Sequence, residues 1–219
     1  MRPVITASAT LGTAVGVFGF SFGVGAVNAG ASVVQACVMS LLVFTGASQF
    51  AAVSVVGAGG STASALSSAL VLAARNGVYG LTMGRRITGR LGTRLVAAQL
   101  TIDESTAMSV AQREPAAQRT AFWITGVCIY VFWNLGTLLG ALLGSAIDPE
   151  TFGFDAAFPA GFVFMMWPLL RTHRGRVAAA LGAVICLALI PVLPIGVPIL
   201  CASAAVLVGV PVDRDEVRQ

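Results

Sequence analysis

The chain has 219 residues, of which 57% are hydrophobic and 10% charged, with a mean hydropathy of +0.88. That is more apolar surface than a soluble core of this length hides, so the composition predicts an integral membrane protein with the lipid bilayer as solvent and no nucleic-acid partner. The formal charge of +4 comes from 13 basic residues, all of them arginine; without a lysine there is no Walker A loop, so any energy from ATP has to arrive through another subunit.

The apolar runs are long and continuous, with no ten-residue alternation, which predicts helices and not barrel strands, and hence a multi-pass protein of a plasma or inner membrane. They extend over Val4 to Asn28, Val33 to Val56, Thr62 to Met83, Thr120 to Ile147, Phe152 to Leu170, Val177 to Pro191 and Ile195 to Val212. The expected fold is an all-α polytopic bundle of about seven transmembrane segments, one transmembrane domain over 1–219 with 213–219 as a cytoplasmic tail.

The first run follows Arg2 and ends near Val27-Asn28-Ala29, which resembles a signal-peptide cleavage site. Its length, and its interruption by Gly16, Gly19, Gly23 and Gly25, favour a retained span. The centre, GVFGFSFGVG, either lets helices approach closely or breaks the helix between Phe18 and Gly25, around Ser21. In the next two runs Thr45, Ser48, Gln49, Arg75, Asn76 and Tyr79 stand among residues apolar enough for a bilayer. Polar groups there are costly and point to function. A second break is expected from Thr45 to Gln49, around Gly46. The stretch VAAQLTIDESTAMS, with Asp103 and Glu104 adjacent, is too polar to face lipid and is expected at the interface or re-entering against protein.

Further along, Trp133 and Asn134 fall mid-span, where Asn134 needs a partner and serves as interhelical glue. Asp155, followed by Pro159, has the layout of a helix N-cap. Pro191, Pro194 and Pro198 mark a turn between short segments. Cys37, Cys128, Cys186 and Cys201 lack metal-ligand spacing and read as small hydrophobes, so neither a metal nor a cofactor is expected. The single histidine, His173, sits in an arginine-rich loop, which leaves serine chemistry without a base and argues against an enzyme.

Arg85, Arg86, Arg90 and Arg94 form one basic loop and Arg171, Arg174 and Arg176 another, so both are expected on the cytoplasmic side. Counting spans from them puts the N-terminus outside and the C-terminus inside. The same count gives an inverted repeat with halves 4–110 and 118–212, supported by a faint echo between VFGFSFGVGAVNAG at Val17 and VFWNLGTLLGALLG at Val131.

The blocks FSFGVGAVNAG, MSLLVFTGASQFAAVSVVGAGG, ARNGVYGLTMGRR, LTIDESTAM, WNLGTLLGALLG and GFDAAFPAGF, in that order, resemble the AzlC/YgaZ-type branched-chain amino-acid permease family. FTGASQF and RNGVYG are the most specific of them. The resemblance implies a bacterial inner-membrane carrier that exports branched-chain amino acids such as valine, working with a small hydrophobic AzlD/YgaH-type partner. A channel, or a structural permease subunit for another small amphiphilic solute, is the alternative.

A zwitterion crossing a bilayer needs partners for both charges, and discontinuous helices supply amides for the carboxylate and free carbonyls for the ammonium. Ser21, Gly46, Ser48, Gln49, Arg75, Asn76 and Tyr79 are the expected substrate-binding residues. Thr45, Ser48 and Gln49 share one helix face, as do Arg75 and Tyr79. Arg75 has the fork for a carboxylate, that of the substrate or of Asp103 or Asp155, unless it snorkels to the interface. Asp103, Glu104 and Asp155 are the expected coupling residues, against the competing readings of loop charge and helix cap.

Overall fold

The structure, a computed structural model, describes residues 2–144, 163, 167 and 169–205. Among these every element is helical: α1 (Arg2–Asn28), α2 (Val33–Val43), α3 (Ala47–Gly57), α4 (Thr62–Gly84), α5 (Leu91–Gln99), α6 (Asp103–Val110), α7 (Pro115–Leu143), α8 (His173–Leu189) and α9 (Val197–Ala202). α1 and α7 are long and apolar enough to cross a membrane. α4, with 23 residues, extends for about 35 Å, also enough for a hydrocarbon core of roughly 30 Å. Its serines, Arg75 and Asn76 make it the most polar of the three.

α1 and α7 run parallel and form the central seam. Ser8 Oγ meets Thr125 Oγ1 at 2.8 Å, and Cys128 Sγ donates to the Ser8 carbonyl at 3.3 Å. Further along, Gly19 faces the Trp133 backbone, Gly23 faces Thr137 and Ala141, and Gly136 and Gly140 face the backbone of Gly16 and Phe20. A β-carbon at Gly23, Gly136 or Gly140 would overlap backbone atoms of the facing helix, so glycine is required there for close approach. The two echoing stretches, 17–30 and 131–144, are thus the faces that pack together. Of the two readings of Phe18 to Gly25, close packing holds and the break does not occur: α1 is continuous, and its glycines serve the seam.

The run from Val33 to Val56 does not cross. Ser32 and Gln35 form a capping box that starts α2 beside the end of α1, and α2 descends until Ser40 Oγ donates to Thr137 Oγ1 at 3.1 Å. The chain turns at Phe44 to Gly46, and α3 returns beside α1, with Phe50 against Phe22 and the Gly57 position beside Ala29. α2 and α3 are therefore a helical hairpin of two eleven-residue arms. The polar stretch between Leu95 and Ser109 forms a second one. Arg86 Nε donates to Gln118 Oε1 at 3.2 Å and Gln118 Nε2 to the Gln112 carbonyl at 2.9 Å, so α5 leaves and α6 returns at the face where α7 begins. Its tip reaches Leu100, packed on Gly126.

α1 followed by α2–α3, and α4 followed by α5–α6, are thus two like units that insert their hairpins from opposite faces, an inverted arrangement. The halves 4–110 and 118–212 are not related in that way, because α7 is parallel to α1 where inverted halves would make them antiparallel. Arg2, Arg85, Arg86, Arg90, Arg94, Arg113 and Arg119 all belong to the end where α1 and α7 begin and α4 finishes. The positive-inside rule makes that end cytoplasmic. The N-terminus accordingly faces inward, and the outside placement fails because it counted Val33 to Val56 as a crossing.

α8 and α9 pack on each other, and α9 reaches α4 through Ser68 Oγ, which donates to the Gly196 carbonyl at 3.2 Å. Most of the segment Phe152 to Leu170, with Asp155, and the tail 213–219 lie outside the described residues. The four cysteines are free thiols.

Candidate functional site

The two hairpin tips meet beside the middle of α7. At the first, Phe44 ends α2 in the left-handed region, with φ 34° and ψ 52°, and Gly46 takes φ 58° and ψ −88°, a conformation open only to glycine. A β-carbon at Gly46 would find space, its nearest neighbour being Trp133 Cη2 at 3.8 Å, so the backbone alone demands glycine. Gln49 reaches back so that its Oε1 accepts from the Thr45 and Gly46 amides at 3.3 and 3.2 Å. Two of the carbonyls freed at the end of α2 are taken by side chains from other elements: Gln99 Nε2 donates to Leu41 at 2.8 Å and Leu42 at 3.2 Å, and the Tyr130 hydroxyl to Leu41 at 3.1 Å.

The second tip is closed by its own residues. Thr101 donates to the Ala97 carbonyl at 2.7 Å, while Ser105 donates to the Leu100 carbonyl at 2.6 Å and accepts from the Ile102 amide at 3.1 Å. Both second arms, α3 and α6, therefore begin at the meeting point with their amide ends.

Between the tips lies a cavity of about 110 Å³. At roughly 10–15 Å³ per water on this measure, it has room for several waters or one small amphiphilic solute. One side is apolar: Leu11, Ala14, Val15 and Phe18 of α1, with Phe44, Phe50, Ile129 and Trp133. Trp133 is held by aromatic neighbours, near-parallel to Phe22 at 5.9 Å and edge-on to Phe50 at 5.8 Å. The other side carries Thr45, Arg75, Asn76, Asp103 and Glu104. Arg75 Nη1 and Asp103 Oδ2 are 2.8 Å apart, with side chains 34% and 28% exposed, so the guanidinium is neither snorkelled to the interface nor sealed from a solute. Among the described residues, Thr45 Oγ1, Arg75 Nε, Asp103 Oδ1 and Trp133 Nε1 have no hydrogen-bond partner. Buried polar atoms are ordinarily satisfied, so donors and acceptors left over around one cavity mark a place built for a polar ligand.

The structure brings together Gly46, Arg75, Asn76, Asp103 and Glu104 of the expected residues. Tyr79 is one turn beyond Arg75 and beside Asp103 without lining the cavity. Ser48 and Gln49 are fully buried behind the first tip, and Gln49 shapes the break. Ser21 is turned into α1, donating to the Val17 carbonyl at 3.2 Å. Asn134 donates to Tyr130 of its own helix at 2.8 Å, and its Oδ1 has no partner among the described residues, so the interhelical role expected of it is not seen. Trp133 as a cavity wall, and Gln99 and Tyr130 as caps on α2, were not legible as such. A lone amide in a basic, amphipathic stretch and aromatics in an apolar run carry no signal until the fold pairs them.

The sequence model of the family described as AzlC protein matches residues 10–147. The chain is 29% identical over 202 residues to the inner membrane protein YgaZ of Escherichia coli strain K12, covering 87% of this chain and 78% of that protein. It is 33% identical over 170 residues to an uncharacterized membrane protein of Archaeoglobus fulgidus, covering 75% and 74%. To the branched-chain amino acid transport protein AzlC of Bacillus subtilis strain 168 it is 24% identical over 176 residues, covering 78% and 66%. No solved structure matches the chain.

Proposed function

The chain belongs to the AzlC family, and on that premise we propose that it is a secondary carrier exporting branched-chain amino acids of the valine type across the bacterial inner membrane. The observation that carries the reading is the two-sided cavity where the hairpin tips meet. Its apolar wall suits an aliphatic side chain, and Arg75, Asn76, Asp103 and Glu104 suit the charged end of an α-amino acid. Re-entrant tips with helix amides facing a mid-membrane site are how carriers bind polar solutes without exposing backbone to lipid. The absence of lysine leaves the chain no Walker A loop of its own, which favours a secondary carrier.

The protein acts with a small hydrophobic AzlD/YgaH-type membrane subunit, and Asp103 with Glu104 couples transport to a cation gradient. The test is valine counterflow in proteoliposomes holding this chain, with and without that subunit. Saturable counterflow competed by leucine and isoleucine is expected. Flux that neither saturates nor shows counterflow would mark a channel and end the carrier reading.

A further inference from the structure

The cavity has a polarity set by the backbone around it. In both hairpins carbonyls at the end of the first arm are occupied by side chains, Leu41 and Leu42 by Gln99 and Tyr130, and Leu100 by Ser105. In both, the second arm starts at the cavity with its amide end, the positive end of the helix dipole. The two arms differ in what neutralises that end. α6 carries Asp103 and Glu104 in its first turn, and both line the cavity. α3 has no acidic residue in its first turn. Near that end the cavity is lined by Thr45, whose Oγ1 has no partner among the described residues, and by Trp133, 4% exposed with its Nε1 likewise unpartnered.

Arg75 donates through Nη1 to Asp103 Oδ2, which leaves Arg75 Nε and Asp103 Oδ1 as an unpartnered donor and acceptor on either side of one ion pair. From this arrangement we infer that a bound amino acid lies in one orientation: carboxylate on the amide end of α3, Arg75 Nε and the Trp133 indole N–H, ammonium on Asp103 and Glu104. Its side chain then faces the α1 wall. The inference rests on the amino-acid reading above and adds which charge goes where. The Leu41, Leu42 and Leu100 carbonyls do not compete for an ammonium, because they are already engaged. A carboxylate is kept from α6, because the Asp103 and Glu104 carboxyls already hold that end. Selectivity follows: a ligand with either charge deleted leaves one pole of the cavity unanswered, so both charges are required together.

The test uses the full-length wild-type chain and the Glu104→Gln variant, which leaves the Arg75–Asp103 pair in place. Each is titrated with L-valine and with its two half-ligands, isovalerate, which lacks the ammonium, and isobutylamine, which lacks the carboxylate. Glu104→Gln is expected to weaken valine and isobutylamine by about tenfold and to strengthen isovalerate, since it removes an ionisable carboxyl from the ammonium pole while sparing the carboxylate pole. Opposite signs for two ligands of similar shape cannot come from a general loss of structure. Isovalerate failing to gain, or isobutylamine failing to weaken, would overturn the orientation while valine binding to the wild type kept the amino-acid reading. Absence of valine binding to the wild type would overturn both.

Discussion

The α1–α7 seam and the cavity between the hairpin tips are made from the same kinds of residue, yet they end in opposite states. At the seam glycines let two backbones touch, and the hydroxyls pair off, Ser8 with Thr125 and Ser40 of α2 with Thr137. At the cavity Gly46 has space around it and is needed only for its dihedral angles, and Thr45 Oγ1 has no partner among the described residues. In a membrane, satisfied polar groups and touching backbones hold helices together, whereas leftover donors and acceptors beside a cavity are held ready for a solute. Small and polar residues therefore do not by themselves mark a binding site; unpartnered atoms point to one only where, as at Thr45, Arg75 and Asp103, they also line a cavity.

The largest effect is expected at the seam. Gly140→Leu drives a side chain into the Phe20 backbone and is expected to leave no folded protein, read as loss of the monodisperse peak in detergent; a normal peak would mean that the helices do not pack as described. At the cavity, Arg75→Ala is expected to lower valine transport by about a hundredfold or more, the loss of a charge-assisted ligand contact, while the protein stays folded. Between these extremes, Gly46→Ala meets no clash but must adopt a glycine conformation, costing about 1–3 kcal/mol in unfolding experiments, with reduced transport.

Smaller effects sharpen the same distinction. Gln99→Ala leaves the Leu42 carbonyl without its donor while Tyr130 still reaches Leu41, so a cost of about 1 kcal/mol is expected, growing when Tyr130→Phe is added. Gly77→Ala, on a face of α4 with nothing within 4 Å among the described residues, is expected to be neutral or to stabilise by up to about 1 kcal/mol, as helix propensity alone would have it.

The long helices were legible because an apolar run of that length has few other uses; for Arg75 an anion was expected, but the substrate, Asp103 and Asp155 stayed open as its source, and only the fold selects Asp103. The break at Gly46 and the re-entrant character of the LTIDES stretch were legible for related reasons: glycine beside hydroxyls, and carboxylates too costly to face lipid. Val33 to Val56 was misread because two eleven-residue arms joined by a turn have the same hydropathy as one span. Only Gln99 and Tyr130, far away in sequence, reveal that α2 stops at half depth. Phe18 to Gly25 was ambiguous in principle, since glycine suits both a broken helix and a tight seam. The partner surface on α7 decided it.

On the proposed function, the cavity at the hairpin tips, and not the glycine seam, holds the solute. The most direct test is equilibrium binding of radiolabelled L-valine to the purified full-length wild type and to Arg75→Ala, each shown to be monodisperse. Saturable binding by the wild type and none by the variant is the predicted result. Equal binding by both proteins would contradict the account, because a solute indifferent to Arg75 cannot be lodged against the polar side of this cavity.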